Sequence, residues 1–410
     1  MKNQYVLRIS DFRNFILSRL CAAIAFNMLN TIVGWQVYEL TKDYFSLGKI
    51  GLSVIIPFTI VSLFSGYVAE VVDRRRIIRI CVAALALCML GFYLLNTVYI
   101  DVLKTQGVGL IYALMFCTGI IRGFLSPAQS AFIAQLTPRE HYAQASTWST
   151  IVWHTSAVGG PAVAGLMYAW VGAPATYLTM FLLEIISFSF LFFVEKKPLP
   201  SINQGESIGK RLSEGLKFVF GHQIILGSIT LDMFSVLFGG AVAMLPAFAD
   251  EVLNQGPQGL GFLRAAPAVG ALLMGFYMTQ HPPVVNAGKK LLWTVAGFGL
   301  CTIVFALSNN FYLSMLALAG TGAFDNVSMV IRGTIMQLYT PDDMRGRVSA
   351  VNGIFIGTSN ELGEFESGLA ARLMRLVPSV IFGGCMTLVT VGLTARLAPK
   401  LRNLSLENEK

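Results

Sequence analysis

Charge is scarce in this chain. Asp, Glu, Lys and Arg make up 13% of its 410 residues, whereas a soluble globular domain carries about 25%. Histidine is scarcer, with four in all, and no His-rich metal cluster, nucleophile elbow or phosphate-binding glycine loop is present. These absences argue against an enzyme and leave no cofactor or metal to expect. The six cysteines (Cys21, Cys81, Cys88, Cys117, Cys301, Cys385) all fall in apolar stretches without disulfide-framework or zinc spacing, so they read as packing residues. The opening "MKNQYVLRISDFRNF" has no apolar h-region and no small-residue cleavage site, so it is not a signal peptide. The first spanning helix is expected to direct insertion.

What fills the chain is apolar: 55% hydrophobic residues and a mean hydropathy of +0.64. That much apolar surface needs lipid as its solvent, which makes the class polytopic membrane protein. The net charge of +8 would suit nucleic acid. However, the basic residues lie in short clusters between apolar stretches, the usual mark of membrane topology, and no nucleic-acid partner is expected.

A spanning helix needs about 20 mostly apolar residues. Twelve candidates meet this: 13–40, 46–71, 77–99, 107–136, 141–170, 172–194, 222–252, 257–280, 289–308, 310–338, 346–375 and 377–398. The polar stretch between the sixth and seventh, "EKKPLPSINQGESIGKRLSEG", divides them six and six. The expected organisation is an N-terminal half over 1–195, a linker over 196–221 with an amphipathic helix, and a C-terminal half over 222–410. With both termini in the cytoplasm, five basic residues fall outside (Lys42, Lys49, Lys104, Arg372, Arg375). Four lie within spans (Arg19, Arg122, Arg264, Arg332), and the remaining 21 of 30 lie inside. That bias supports the orientation.

The halves echo each other. Thr137-Pro138 and Ser146 match Thr340-Pro341 and Ser349, 203 residues on. Gly51 and Pro57 match Gly261 and Pro267, 210 residues on. A parallel repeat of two six-span halves is a transporter architecture.

Three stretches carry a resemblance to a known family. "GYVAEVVDRRR" between spans 2 and 3 resembles the Gly-x-x-x-Asp-Arg-x-Gly-Arg-Arg loop of the major facilitator superfamily, although its spacing is longer and the inner glycine is missing. The resemblance implies a charge latch from Asp73, Arg74, Arg75 and Arg76, with Gly66 permitting close helix contact. "VGGPAVAG" in span 5 is similar to the Gly-Pro motif of the family's antiporters, placing Gly159, Gly160, Pro161 and Gly165 at a kinked, closely packed helix and implying export. "TPDDMRGRVSAVNGIF" with "SNELGEFESGLAA" resembles the subgroup that includes enterobactin exporters and drug–proton antiporters. The implied fold is all-α, with twelve transmembrane helices in two six-helix bundles.

Ionisable residues within spans are costly and normally face a cavity or a partner. Arg122 in span 4 resembles the span-4 arginine of proton-coupled drug exporters. Arg332 lies nearer the cytoplasmic end of span 10, where a long side chain can snorkel. Asp325 stands seven residues before Arg332, on the same helical face. Asp232 is roughly 15 Å into span 7 at about 1.5 Å per residue, where a carboxylate must be neutral, paired or hydrated. Gly353, Gly357, Glu361, Glu364 and Gly368 form one stripe of span 11, from which Glu366 points away. Proton-coupling candidates are therefore Asp232, Asp325, Glu361, Glu364 and Glu184. Cavity candidates are Arg122, Asn27, Asn30, Trp35, His154 and Arg332, with His154 reading first as a hydrogen-bonded core residue.

The expected activity is proton-coupled export of a siderophore or similar amphipathic metabolite by a monomer in the bacterial inner membrane. The alternative is a broad multidrug exporter. A lipid flippase or a receptor without transport belongs to a different class.

Overall fold

The computed structural model describes residues 6–101, 107–197, 208–281, 283, 285–341 and 344–406. Lys104, the Asp342-Asp343 pair and the linker stretch 198–207 lie outside the described residues. Among those described, the regular structure is helical and no strand occurs.

The first four helices are α1 (Ser10–Thr41), α2 (Tyr44–Val71), α3 (Arg74–Leu95) and α4 (Gly109–Leu136). Next, Tyr142–Phe192 runs on for 51 residues but breaks at Gly172, whose φ of 78° suits glycine. It is thus two helices, α5 (142–171) and α6 (173–192). Pro174 falls in the first turn of α6, where its missing N–H costs nothing. The later helices are α7 (Ile208–Gly221), α8 (Gln223–Phe238), α9 (Gly256–Gln280), α10 (Ala287–Leu307), α11 (Phe311–Tyr339), α12 (Arg345–Met374) and α13 (Leu376–Leu397).

Among the described residues, ten helical stretches are long and apolar enough to cross a membrane, with the α5–α6 pair counted as one. The helix expected over 346–375 forms as α12. Its six charged residues, the three glutamates among them, keep it out of that apolar set.

Span 7 departs from the expected continuous helix over 222–252. It stops at Phe238, and Gly239-Gly240 leads into a 3-10 turn (Ala241–Met244) and a π turn (Phe248–Val252). The break is held by its neighbours. Ser367 Oγ donates to the Gly240 carbonyl at 3.1 Å, and Thr387 Oγ1 donates to the Ser235 carbonyl at 3.3 Å. Irregular backbone at membrane depth survives where side chains re-satisfy it in this way.

The residues cluster into two compact units. The first comprises 1–42, 53–204 and 256–265; the second comprises 43–52, 205–255 and 266–410. Each therefore includes a short piece of a helix, α9 or α2, whose remainder belongs to the other. In the first unit, the start of α9 crosses α5: a β-carbon on Gly165 would stand 2.9 Å from Gly261 Cα. In the second unit, the start of α2 crosses α12: a β-carbon on Gly368 would stand 2.8 Å from Gly48 Cα. Asp43 caps this piece of α2 through the backbone N–H of Phe45 and Ser46 and the Ser46 hydroxyl. Burial raises its proton affinity, but those hydrogen bonds outweigh burial and hold its carboxyl below the ordinary aspartate range.

These crossings revise the repeat. Gly119 abuts the Val54 carbonyl, and Gly322, 203 residues on, abuts the Pro267 carbonyl. Gly165 and Gly368 are also 203 apart, but their partners Gly261 and Gly48 differ by 213, as do Pro267 and Val54. The sequence match of Gly51 with Gly261 is therefore one helical turn out of the structural register. A three-residue slip keeps the same helix face, so the pattern of small residues does not reveal it.

Helix α7 packs inside the second unit. Glu214 pairs with Arg347 at 2.5 Å, Gly215 lies against the Arg347 carbonyl, and Val219 is buried with Val348 and Val351. The segment after α13 joins the same core: Leu401, Leu404 and Leu406 are buried, and the Gly288 N–H donates to the Leu404 carbonyl at 3.0 Å. Fully burying a leucine contributes about 1.5–3 kcal/mol. Truncation after Ala398 is therefore expected to lower the thermal unfolding midpoint by several degrees in detergent. An unchanged midpoint would show that the tail does not belong to the core.

Candidate functional site

The charged residues of the second unit converge where α8, α10 and α11 meet. Asp232 comes from α8, two turns before its break. Arg332 reaches it at 2.5 Å through Nη1 and stands 3.9 Å from Asp325 through Nη2. Arg332 Nε also donates to Ser328 Oγ at 3.3 Å. The Asp232 side chain is 9% exposed and that of Arg332 12%, whereas Asp325 is 46% exposed. One guanidinium thus faces two carboxylates, one sealed and one accessible. Beside them is a cavity of about 10 Å³, lined by Asp232, Ser235, Thr294, Phe298, Asp325 and Ser328, with room for roughly one water.

Arg332, a cavity candidate placed where a long side chain could also snorkel, turns inward to the two carboxylates. Removing either buried partner leaves a charge in low dielectric, so the pair is mutually required where it stands. The arrangement can bind and release a proton at a carboxylate while the guanidinium keeps the net charge small. It can also accept hydrogen bonds from a polar ligand at Asp325.

The other proton-coupling candidates lie elsewhere. Glu361 and Glu364 stand on α12 beside the start of α2, where a β-carbon on Gly51 would lie 2.8 Å from the Glu361 carbonyl and 2.9 Å from Glu364 Cβ. Their stripe is closely packed only in part: Gly368 meets the backbone of Gly48, but Gly353 meets nothing within 4 Å. Glu184, in the first unit, is fully buried, and neither of its oxygens has a hydrogen-bond partner among the described residues.

In the first unit, Arg122 stands at the repeat position of Asp325, 203 residues earlier. Its guanidinium lies 4.3 Å from the Phe26 ring centre and 5.9 Å from that of Phe58, in cation–π contact. Asn27 donates to the Ala23 carbonyl at 2.9 Å and packs against Gly160. Asn30 is half-buried. Trp35, expected near a cavity mouth, is instead 6% exposed, and its indole N–H has no partner among the described residues. His154, expected as a hydrogen-bonded core residue, is half-buried with Nδ1 unpartnered.

The latch residues sit at the ends of three helices. Asp73 caps α3 by accepting from the Arg75 N–H at 3.0 Å. Arg74 donates to the carbonyls of Ala69 and Ala131, and Arg75 donates to that of Phe192 at the end of α6. Guanidinium groups near helix C-termini complement the macrodipole. Arg76 is exposed. Gly66, expected at a close helix contact, faces open space, as does Gly159 of the Gly-Pro stretch. Gly160 and Gly165 do meet their neighbours closely, and Gly261 lies against the Pro161 carbonyl.

Sequence reasoning missed two polar features. The first is the broken α8, although Gly239-Gly240 and Pro246 signal it. The second is a buried network: Gln36 donates to Asn96, and Tyr177 donates to Gln36 Oε1 at 2.7 Å. Isolated Gln, Asn and Tyr residues 60 to 141 positions apart carry no local signal of such a network.

The chain aligns along most of its length with known transporters. It is 22% identical to the uncharacterized MFS-type transporter YfmI of Bacillus subtilis, covering 88% of this chain and 93% of that one. It is 24% identical over 379 residues to the enterobactin exporter EntS of Escherichia coli O1:K1, covering 91% and 88%. A D-xylose–proton symporter shares the fold at a TM-score of 0.74 and 14% identity, covering 98% of this chain and all of the other. A bacterial homologue of the iron transporter ferroportin does so at 0.71 and 14%, with the same coverage. The sequence profile of the Major Facilitator Superfamily matches residues 15–363, and this multi-pass chain belongs to that family of membrane transporters.

Proposed function

We propose that the protein is a secondary exporter of the bacterial cytoplasmic membrane, with both termini in the cytoplasm, acting as a monomer. It couples inward proton flow to outward movement of a siderophore or similar amphipathic metabolite. The observation that carries the coupling is the single guanidinium of Arg332 held between Asp232 and Asp325. The similarity to an enterobactin exporter supports the substrate class.

In this reading the protein works by alternating access. Hydroxyl groups of the substrate donate to the accessible Asp325 carboxylate, while Arg332 and Asp232 hold the local charge. Protonation of a carboxylate removes an acceptor, so proton and substrate compete. Antiport needs that competition, with each ligand favouring a different state. Arg122 supplies positive charge at the equivalent position of the other half. Glu361 and Glu364, beside the α2 crossing, are further coupling groups. Gly160, Pro161 and Gly165 allow α5 to pivot against its neighbours, and Asp73 with Arg74–Arg76 forms the latch.

A broad multidrug exporter is the second reading. It is favoured by an apolar groove of about 570 Å³ on the second unit, lined by Leu273, Met274, Tyr277, Val304 and Leu316.

Reconstituted vesicles with an imposed pH gradient separate the readings. The expected result is gradient-driven movement of a catecholate siderophore, accompanied by counterflow of protons. Movement of lipophilic cations alone would establish the multidrug reading, and flux indifferent to the gradient would remove proton coupling. Unchanged substrate-driven proton flux in Glu361→Gln or Glu364→Gln would remove that residue from the coupling set.

A further inference from the structure

The seam between α1 and α6, inside the first unit, carries a row of polar groups that the reading above does not use. Along α1 these are Asp11, Asn14, Ser18 and Cys21, spaced three, four and three, which places them on one helical face. Asp11 pairs with Lys197 at 2.5 Å and accepts the Glu195 N–H at 3.0 Å. Asn14 reaches the Phe193 carbonyl at 3.5 Å. Deeper in, the hydroxyls of Ser18 and Ser187 share a hydrogen bond of 2.9 Å, both buried. One turn further along α6 stands Glu184, and the next polar contact of the seam, Tyr177 O–H to Gln36 Oε1, lies two turns beyond it. Between the two, Ala25, Met28, Ile32 and Met180 are fully buried apolar side chains.

Glu184 is 0% exposed, and neither carboxyl oxygen has a hydrogen-bond partner among the described residues. The titratable groups near enough to interact with it are the thiols of Cys21 on α1 and Cys88 on α3. Neither is a cation. Arg19 of α1, between Ser18 and Cys21, donates to Ser149 of α5 at 3.1 Å, and the Asp11–Lys197 ion pair stands at the far end of the seam. An ionised carboxylate without a partner in so apolar a place is far costlier than the neutral acid. The serine pair is the only polar step on the described part of the seam between Glu184 and Asn14.

We infer that Glu184 is a proton-binding site of the first unit, loaded as the neutral acid and reached from the Asp11–Lys197 end of the α1–α6 seam through the Ser18–Ser187 hydroxyl pair. The fully buried Ala25, Met28, Ile32 and Met180 separate Glu184 from the Gln36–Tyr177 pair, so the proton enters and leaves by the serine side. The use of this site in transport rests on the proton-coupled reading; the site itself does not.

Infrared spectroscopy of the full-length protein in lipid nanodiscs near neutral pH tests the inference without any transport substrate. The expected spectrum has a protonated-carboxyl C=O band that disappears in Glu184→Gln and shifts in Glu184→Asp. Glu184→Asp also serves if Glu184→Gln does not fold. In heavy water, that band is expected to exchange roughly ten-fold more slowly in Ser18→Ala/Ser187→Ala, the factor given by about 1.4 kcal/mol of added barrier. Removing both hydroxyls together leaves no orphaned partner, so the variant remains folded. Loss of a carboxylate band in place of a C=O band in Glu184→Gln would overturn the proton site. An unchanged exchange rate in the serine variant would overturn the route. Failure of proton-coupled export in vesicles, with the band still present, would count against the transport reading alone.

Discussion

Replacing Asp232 by alanine is expected to destabilise the protein by about 3–5 kcal/mol, because it leaves the Arg332 guanidinium buried without its close partner. Asp325, at 3.9 Å and half exposed, offsets only part of that loss. The double variant Asp232→Ala/Arg332→Met is expected to recover most of it, since exchanging both charges for apolar groups removes the desolvation cost along with the attraction. Thermal unfolding in detergent, followed by tryptophan fluorescence, measures both. A single variant as stable as the parent would show that the pair is not buried as a unit. Additive losses in the double variant would show that the two residues do not interact. Asp232→Asn keeps the shape and one acceptor, so it separates stability from coupling. It is expected to fold and to lose gradient-driven efflux. Retained gradient-driven efflux would place the exchanging proton on another carboxylate.

Much of this was legible in the sequence because membrane helices obey a simple rule of length and polarity. The break between α5 and α6, at Gly172, lies within a residue of the boundary expected between spans 141–170 and 172–194. Asp325 and Arg332 were expected on one face because seven residues make two turns, and both meet the same guanidinium–carboxylate cluster. Asp232 was singled out by depth alone; that it meets Arg332 depends on how α8 packs against α11, which no local pattern specifies. Trp35 and Gly66 failed for the same reason. A tryptophan near a helix end, or a glycine before a turn, fits a cavity mouth or a close contact equally well until the neighbouring helix is placed. The repeat was legible in its existence but not in its register. A slip of one turn preserves the face of every small residue, so Gly48 and Gly51 are equivalent by pattern and differ only in what they touch.

Gly322→Val offers the sharpest test of that register. A β-carbon there would overlap the Pro267 carbonyl on α9, and backbone has no rotamer by which to yield. The helices must separate, and such overpacking costs about 1–3 kcal/mol, occasionally more. Gly333 provides the control on the same helix, since nothing lies within 4 Å of its missing β-carbon. Gly333→Ala is expected to be neutral or mildly stabilising, because alanine is the better helix former by roughly 0.8–1 kcal/mol. The repeat extends the argument to the first unit. Gly119, 203 residues earlier, would bring a β-carbon within 2.5 Å of the Val54 carbonyl and 2.8 Å of Pro57 Cγ. Gly119→Val is therefore expected to resemble Gly322→Val in the loss of folded protein, read as the monodisperse fraction after heating. If Gly322→Val behaves like Gly333→Ala, the α9–α11 contact is not as close as described. If Gly119 and Gly322 differ strongly, the two halves do not share the register that sets Val54 opposite one glycine and Pro267 opposite the other.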